Sequence, residues 1–311
     1  MTAPAHCGPL AVGLVLFALL RAGVADGAES AAASTNVLVI PFEFRRGHAM
    51  IPVRVAGTNA QSFILDTGYS MTMLPPGLGE ALQLRRAGRV TIVGIAGEEE
   101  AGVFEGPRFE FDLGGLTWNP RRVGSFPSSE RGRGRHREGI LGSGFFRRFV
   151  VEINQRAQTI TLREPESFRY SGRSEALPIR FKRGGSTPIV AASLDDKIQG
   201  EFEIDTGCDS CLCLAHDFSE KHRLVPADSQ SSRRSGVGGG TRTRAGRLQS
   251  LSLGRARVDR PPADFFIEGS PAGAGLAGHI GLEAFREFNL ILDYSRQQLI
   301  LEPLPLPASG R

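Results

Sequence analysis

Lysine is nearly absent from this chain. Only Lys182, Lys197 and Lys221 stand among its 37 basic residues, so its basic character is almost wholly arginine. Excess charge is missing too: 37 basic against 33 acidic residues leave a net charge of +4, which excludes a nucleic-acid binder identified by charge alone. No stretch reaches the roughly 18 apolar residues that a membrane-spanning helix needs. Tryptophan occurs once in the 311 residues and cysteine four times. With 41% hydrophobic and 23% charged residues the chain is too apolar for general disorder, and its length suits about two domains.

The apolar run from Leu10 to Leu20 is followed by the small residues Gly23, Val24 and Ala25. It has the length of a signal-peptide core and a small-x-small cleavage site after Ala25. Residues 1–25 are therefore expected to be a signal peptide, and the mature chain to be periplasmic or secreted. Cys7 leaves with that leader. The other three cysteines, with His216, have the composition of a zinc site, but Cys211 and Cys213 in one strand put both sulfurs on one face without the reversal a tetrahedral site needs. No metal is expected. The thiols read as small hydrophobes beside a loop, and in an oxidising compartment a Cys208–Cys211 disulfide stays open.

An internal repeat organises the rest. Asp-Thr-Gly stands at Asp66-Thr67-Gly68 and again at Asp205-Thr206-Gly207, 139 residues later, each time after a strand-like segment. The same offset relates Gly139-Ile140-Leu141-Gly142 to Gly278-His279-Ile280-Gly281, Phe149 to Phe288, and Leu162 to Leu301. A given tripeptide arises by chance about once in 5,000 positions, so two copies with matched partners mark a duplication. Alternating or β-branched runs at Ile51–Val55, Arg89–Val93 and Phe109–Leu113 mark strands, and 144–149 allows one short helix. The expected organisation is an all-β chain with one lobe at 37–163, a polar linker at 164–175, a second lobe at 176–303 and a tail at 304–311.

Two carboxylates on glycine turns at strand ends, brought together about a pseudo-twofold axis, cannot both ionise at ordinary pH. They share a proton. One can then take a proton from water while the other gives one to a carbonyl oxygen.

On these two turns and the hydrophobic-hydrophobic-Gly elements that follow them, the chain resembles the aspartic peptidases of the pepsin and retroviral type, and within them the bacterial single-chain, retropepsin-like proteins. The resemblance covers roughly Val37 to Pro303. It implies a bilobal acid-protease fold of two β-barrel-like lobes, with Asp66 and Asp205 catalytic. Thr67 and Thr206 would cross-link the lobes, Gly68 and Gly207 would support the site, and no cofactor would be needed. One chain supplies both halves, so a monomer suffices, and the implied partner is a peptide or protein substrate.

Gly94-Ile95-Ala96-Gly97 resembles the tip of a substrate-covering flap, with a counterpart at Gly236-Val237-Gly238-Gly239-Gly240. Asp209 resembles the acidic residue that contacts the substrate backbone in retroviral enzymes. Tyr69 and Cys208 stand where pepsins carry a hydroxyl residue, so neither Asp is expected to gain that bond, and a rate optimum at roughly pH 4 to 6 follows. His279, at an ordinarily aliphatic position, reads as a packed neutral histidine. The arginines at 131, 133, 135 and 137, with His136, and those flanking the second Gly-rich turn read as solvated loop decoration. A noncatalytic peptide-binding module on the same fold is the competing reading. The export reading is checked by N-terminal sequencing of protein recovered outside the cytoplasm, which should begin near Asp26. An intact Met1 in a soluble cytoplasmic fraction would contradict it.

Overall fold

The computed structural model describes residues 37–106, 109–126, 138–181 and 186–305. The leader, the basic loop at 131–137 and residues 306–311 lie outside them. Each copy of the repeat builds a sheet around its Asp-Thr-Gly strand. In the first, Gln61–Leu65 lies between antiparallel His48–Val55 and parallel Gly139–Leu141. In the second, Ile198–Asp205 lies between antiparallel Ile189–Leu194 and parallel Gly278–Gly281.

The parallel register is the same in both lobes. Ile140 lies opposite Ile64, and 139 residues on His279 lies opposite Glu203. These inner strands alternate side chains between faces, and Phe63, Leu65, Phe202 and Ile204 point into the core with no exposure. The short helix Ser143–Arg148 follows the first hydrophobic-Gly strand and buries Phe145 and Phe146. Phe109–Leu113 was expected to be one strand, but only Phe111–Asp112 forms it. The Asp112 carboxylate accepts the Gly114 N–H at 2.8 Å and turns the chain there. A helix at His216–His222 had no forerunner in the sequence reading.

A third sheet of six strands joins the lobes. Its order is Val37–Pro41, Thr159–Arg163, Val150–Asn154, Phe288–Asp293, Gln298–Pro303 and Ala176–Pro178. The closing hairpins of the two copies meet at its centre, where Ile153 pairs with Leu290. Across that seam Asn289 donates to Glu152 Oε1 at 2.8 Å, and within its own hairpin to Glu302 Oε2 at 3.0 Å. One continuous cluster of buried side chains lies above this sheet and runs through both lobes. Below it Val150, Ile291 and Ile300 are covered by Phe168 and Tyr170 of the 164–175 segment, which therefore packs on the sheet.

Because the lobes share this sheet and core, they should unfold together. Leu290→Ala, in the second copy, removes a fully buried side chain and should cost about 2–5 kcal/mol. Its urea midpoint should fall equally by circular dichroism and by fluorescence of Trp118, which is buried in the first lobe. A Trp118 transition left unmoved would contradict the shared core.

Candidate active site

The two Asp-Thr-Gly turns interlock through their threonines. Thr67 N–H donates to Thr206 Oγ1 at 3.0 Å, and Thr206 N–H donates to Thr67 Oγ1 at the same distance. Each hydroxyl in turn donates to a carbonyl of the other lobe, Thr67 to Ile204 at 2.6 Å and Thr206 to Leu65 at 2.8 Å. Both threonines are fully buried, so this polar lattice is shielded from competing water. It sets the separation of the adjacent carboxylates.

Asp66 and Asp205 are hydrogen-bonded to each other across the lobe boundary. Each also accepts a backbone N–H from its own turn, Asp66 from Gly68 at 2.7 Å and Asp205 from Gly207 at 3.0 Å. Glycine is required in both turns. A Cβ on Gly68 would lie 2.7 Å from Asp205 Oδ1, and one on Gly207 would lie 2.1 Å from Asp66 Oδ2. Burial, and next the charge on Asp205, push the Asp66 carboxyl well above its ordinary range. Burial opposes ionisation of Asp205 as well. There the charge and hydrogen bond of His279 prevail, and the group stays below the usual carboxylate range.

His279 is thus not the neutral packed histidine that its aliphatic position suggested. Its Nδ1 lies 3.0 Å from Asp205 Oδ2 and its Nε2 2.9 Å from Glu203 Oε2. Burial disfavours its charge, but Asp205, with hydrogen bonds to Asp205, Cys208 and Glu203, raises its pKa well above the ordinary value. The expectation that neither aspartate gains a partner in place of the pepsin hydroxyl fails for Asp205 for the same reason. The Tyr69 side chain gives Asp66 none, and only its backbone N–H reaches that carboxyl: the ring packs with Val90 and Ile92 against Met73, Ala101, Phe126 and Ile140. Cys208, Cys211 and Cys213 are free thiols, and the near neighbour of Cys208 is Cys213, with sulfurs 3.6 Å apart, in place of Cys211.

The two Gly-rich segments are hairpin tips, formed by Arg86–Gly94 with Gly97–Glu105 and by Gln230–Gly236 with Gly239–Arg247. Ile95-Ala96 and Val237-Gly238 make the turns, and the two tips clasp each other. Ala96 N–H donates to the Val237 carbonyl at 3.3 Å, and Gly238 N–H donates to Glu99 Oε1 at 3.0 Å. Gly238 has φ 84°, where a side chain would be strained and its Cβ would lie 2.3 Å from Gly97 N. Gly94 and Gly239 flank these turns. Asp209 is ion-paired at 3.3 Å with Arg234, two residues before the end of the second hairpin's first strand. Arg234 also binds the buried Asp264 through Nε at 2.9 Å and through a second nitrogen, and Ser210 donates to the same carboxylate at 2.8 Å.

The structure thus gathers Asp66, Thr67, Gly68, Asp205, Thr206 and Gly207 at one point and collects Gly94–Gly97 with Gly238 and Gly239 in a second cluster. Sequence reasoning missed Glu203, the Arg234–Asp264 anchor and His48. His48 lies within electrostatic reach of Asp209, Asp205 and Glu138; its Nδ1 is buried without a hydrogen-bond partner, and burial lowers its pKa. Its place in the second copy, 139 residues on, is taken by Thr187, whose hydroxyl reaches the Gly68 carbonyl at 3.5 Å. Thr67→Val would orphan two buried groups, the Thr206 N–H and the Ile204 carbonyl, at about 1–3 kcal/mol each. Urea unfolding should show that loss, and a change under about 0.5 kcal/mol would contradict the cross-link.

Comparison with known proteins agrees with this geometry. The aspartyl protease family model matches the chain twice, over residues 51–145 and 190–284. No curated protein matches the sequence significantly. Among solved structures, the crystal structure of aspartic proteinase from Irpex lacteus is similar in fold, with a TM-score of 0.57 at 15% identity over 88% of this chain and 99% of that one. The fold is the bilobal acid-protease fold, and with its two matched halves this chain belongs to the aspartyl protease family.

Proposed function

We propose that this chain is an exported aspartic endopeptidase that hydrolyses peptide bonds with a water activated between Asp66 and Asp205. The observation that carries the reading is the pair of carboxylates in mutual hydrogen bond, Asp66 buried and Asp205 partly buried, each on its own Asp-Thr-Gly turn. A pair that shares one proton offers an acid and a base at the same point.

The chemistry follows from that proton count. One carboxylate takes a proton from water as the water oxygen bonds to the scissile carbonyl carbon, and the other gives its proton to the carbonyl oxygen. The resulting tetrahedral diol collapses: the C–N bond breaks, the amine nitrogen receives the proton taken from water, and a diol hydroxyl returns a proton to the acid. Water is the nucleophile and the two carboxylates supply both proton transfers, so this mechanism needs no cofactor. Both carboxylates come from one chain, which makes a single copy sufficient. An extended peptide suits the paired hairpins, whose backbone amides can bond its main chain when the tips part. Glu99, Gly94–Gly97, Gly238 and Gly239 are then the groups nearest to it, with Asp209 held beside the second hairpin by Arg234.

Asp66→Asn and Asp205→Asn should each lower kcat/KM on a mixed peptide library by roughly 10²–10⁴-fold or more, with little change in the urea midpoint, because neither carboxylate alone supplies both proton transfers. A variant with wild-type turnover would contradict the shared dyad. Peptide capture without cleavage by the wild-type chain would favour a binding module.

A further inference from the structure

The two carboxylates of the dyad are related by the pseudo-repeat, yet their surroundings differ at two matched positions. Beside Asp66 stand Ile64, two residues earlier on its strand, and Ile140, opposite Ile64 on the parallel neighbour. Beside Asp205 the same two positions hold Glu203 and His279. The duplicated architecture therefore carries a charged pair on one side and an aliphatic pair on the other.

His279 bridges two carboxylates, with Nδ1 3.0 Å from Asp205 and Nε2 2.9 Å from Glu203. A neutral imidazole has one N–H and one lone pair, so it can donate to only one of them. The other nitrogen would then point its lone pair at a carboxylate oxygen. Protonating a carboxylate would remove the clash, but imidazole is the more basic group by about two pH units, so the extra proton belongs on the ring. The ring is an imidazolium with both N–H groups used, and it is only 9% exposed.

We infer that Glu203 and His279 are positioning residues that hold Asp205 as the ionised member of the dyad, making Asp205 the base that takes the proton from water and Asp66 the acid that protonates the carbonyl oxygen. The two roles rest on the peptidase reading of the site. The ionisation asymmetry rests on the geometry alone. Glu203 is the second acceptor that keeps the imidazole charged and its plane fixed, and Asp205 Oδ2 receives the result.

The other groups around this relay do not reverse it. Cys213 lies across the sheet from His279, and Cys208 approaches from the turn; the Cys208 thiol is held neutral by its hydrogen bond to Cys213 and by burial. Facing Asp205 from elsewhere are Asp66, His48 and the phenols of Tyr69 and Tyr294, both pushed far up by burial and so neutral. His48 is pushed down by burial, so it brings no competing cation in neutral solution. The opposite displacements of the two aspartates described above agree with this arrangement.

A consequence is a broad rate profile in place of one confined to roughly pH 4 to 6. The acid limb is protonation of Asp205, which the imidazolium moves down; the alkaline limb is loss of the proton on Asp66, which Asp205 moves up. His279→Gln should raise the acid limb by about one to three pH units, and Glu203→Gln should raise it less.

The test is a pH titration of the full-length chain by NMR, with ¹³C-labelled aspartate carboxyls and ¹⁵N-labelled histidines, alongside the pH profile of kcat/KM. Asp205→Asn and His279→Gln identify their own signals. One histidine should keep both ring nitrogens protonated well above the pH at which a free imidazole loses its charge, and Asp205 should stay ionised below the pH at which Asp66 takes its proton. In Glu203→Gln, the variant least disturbing to packing, the Asp205 midpoint and the acid limb should rise together. A neutral His279 at pH 7, or an Asp205 midpoint and acid limb unmoved in both folded variants, would overturn the inference. If the wild-type chain cleaves no peptide, the peptidase reading fails, and the carboxyl titration still decides the asymmetry.

Discussion

The structure depends on holding two aspartates in contact inside the protein. Left alone, such a pair would relieve its repulsion by moving apart. Here that outcome is closed. The threonine lattice fixes the turns to each other, glycine at both third positions gives the partner carboxylate the space a side chain would fill, and the six-stranded sheet below binds the lobes into one body. The remaining freedom is where one proton sits.

Much of this was legible in the sequence because a duplication prints its symmetry as an offset. Asp66 with Asp205, Thr67 with Thr206 and the two hydrophobic-Gly elements all fall 139 apart, and a site on the symmetry axis must be built from such pairs. The flap tips could be found as well, although they are 142 apart (236 − 94), which places three extra residues in the second copy between turn and tip. What symmetry does not encode is where the copies have diverged. His279 looked like an inserted oddity in an aliphatic place because its meaning lies in Glu203, and only the parallel register brings those two residues opposite each other. The signal was present, since Ile64 and Ile140 occupy the same two positions in the first copy, but it required pairing strands 76 residues apart. The clasp between the hairpin tips and the buried nitrogen of His48 depend on tertiary approach and leave no periodic trace.

At two matched places near the site the second lobe is the more polar one. With the 142 offset, Ile92 of the first hairpin corresponds to Arg234 of the second, and Ile92 packs in an apolar cluster while Arg234 anchors to buried Asp264 and to Asp209. The substitution of ion pairs for packing in the second hairpin and beside the dyad surrounds Asp205 with fixed charge where Asp66 has aliphatic neighbours. A duplicated fold can thereby assign different tasks to two residues that share an origin. Burial makes the effect large, because a charge facing Asp205 in a low-dielectric interior is screened far less than one at the surface.

The account's central claim, that both carboxylates of a single chain act on one reacting carbonyl, is tested most directly by calorimetric titration with a statine-containing peptide, whose secondary hydroxyl imitates the tetrahedral diol. The account predicts one ligand per chain, bound at least 10²-fold or so more tightly than the matching substrate peptide, and loss of that advantage when Asp66 is changed to Asn. Equal affinity for the statine and the substrate peptide, or half a ligand per chain, would contradict it.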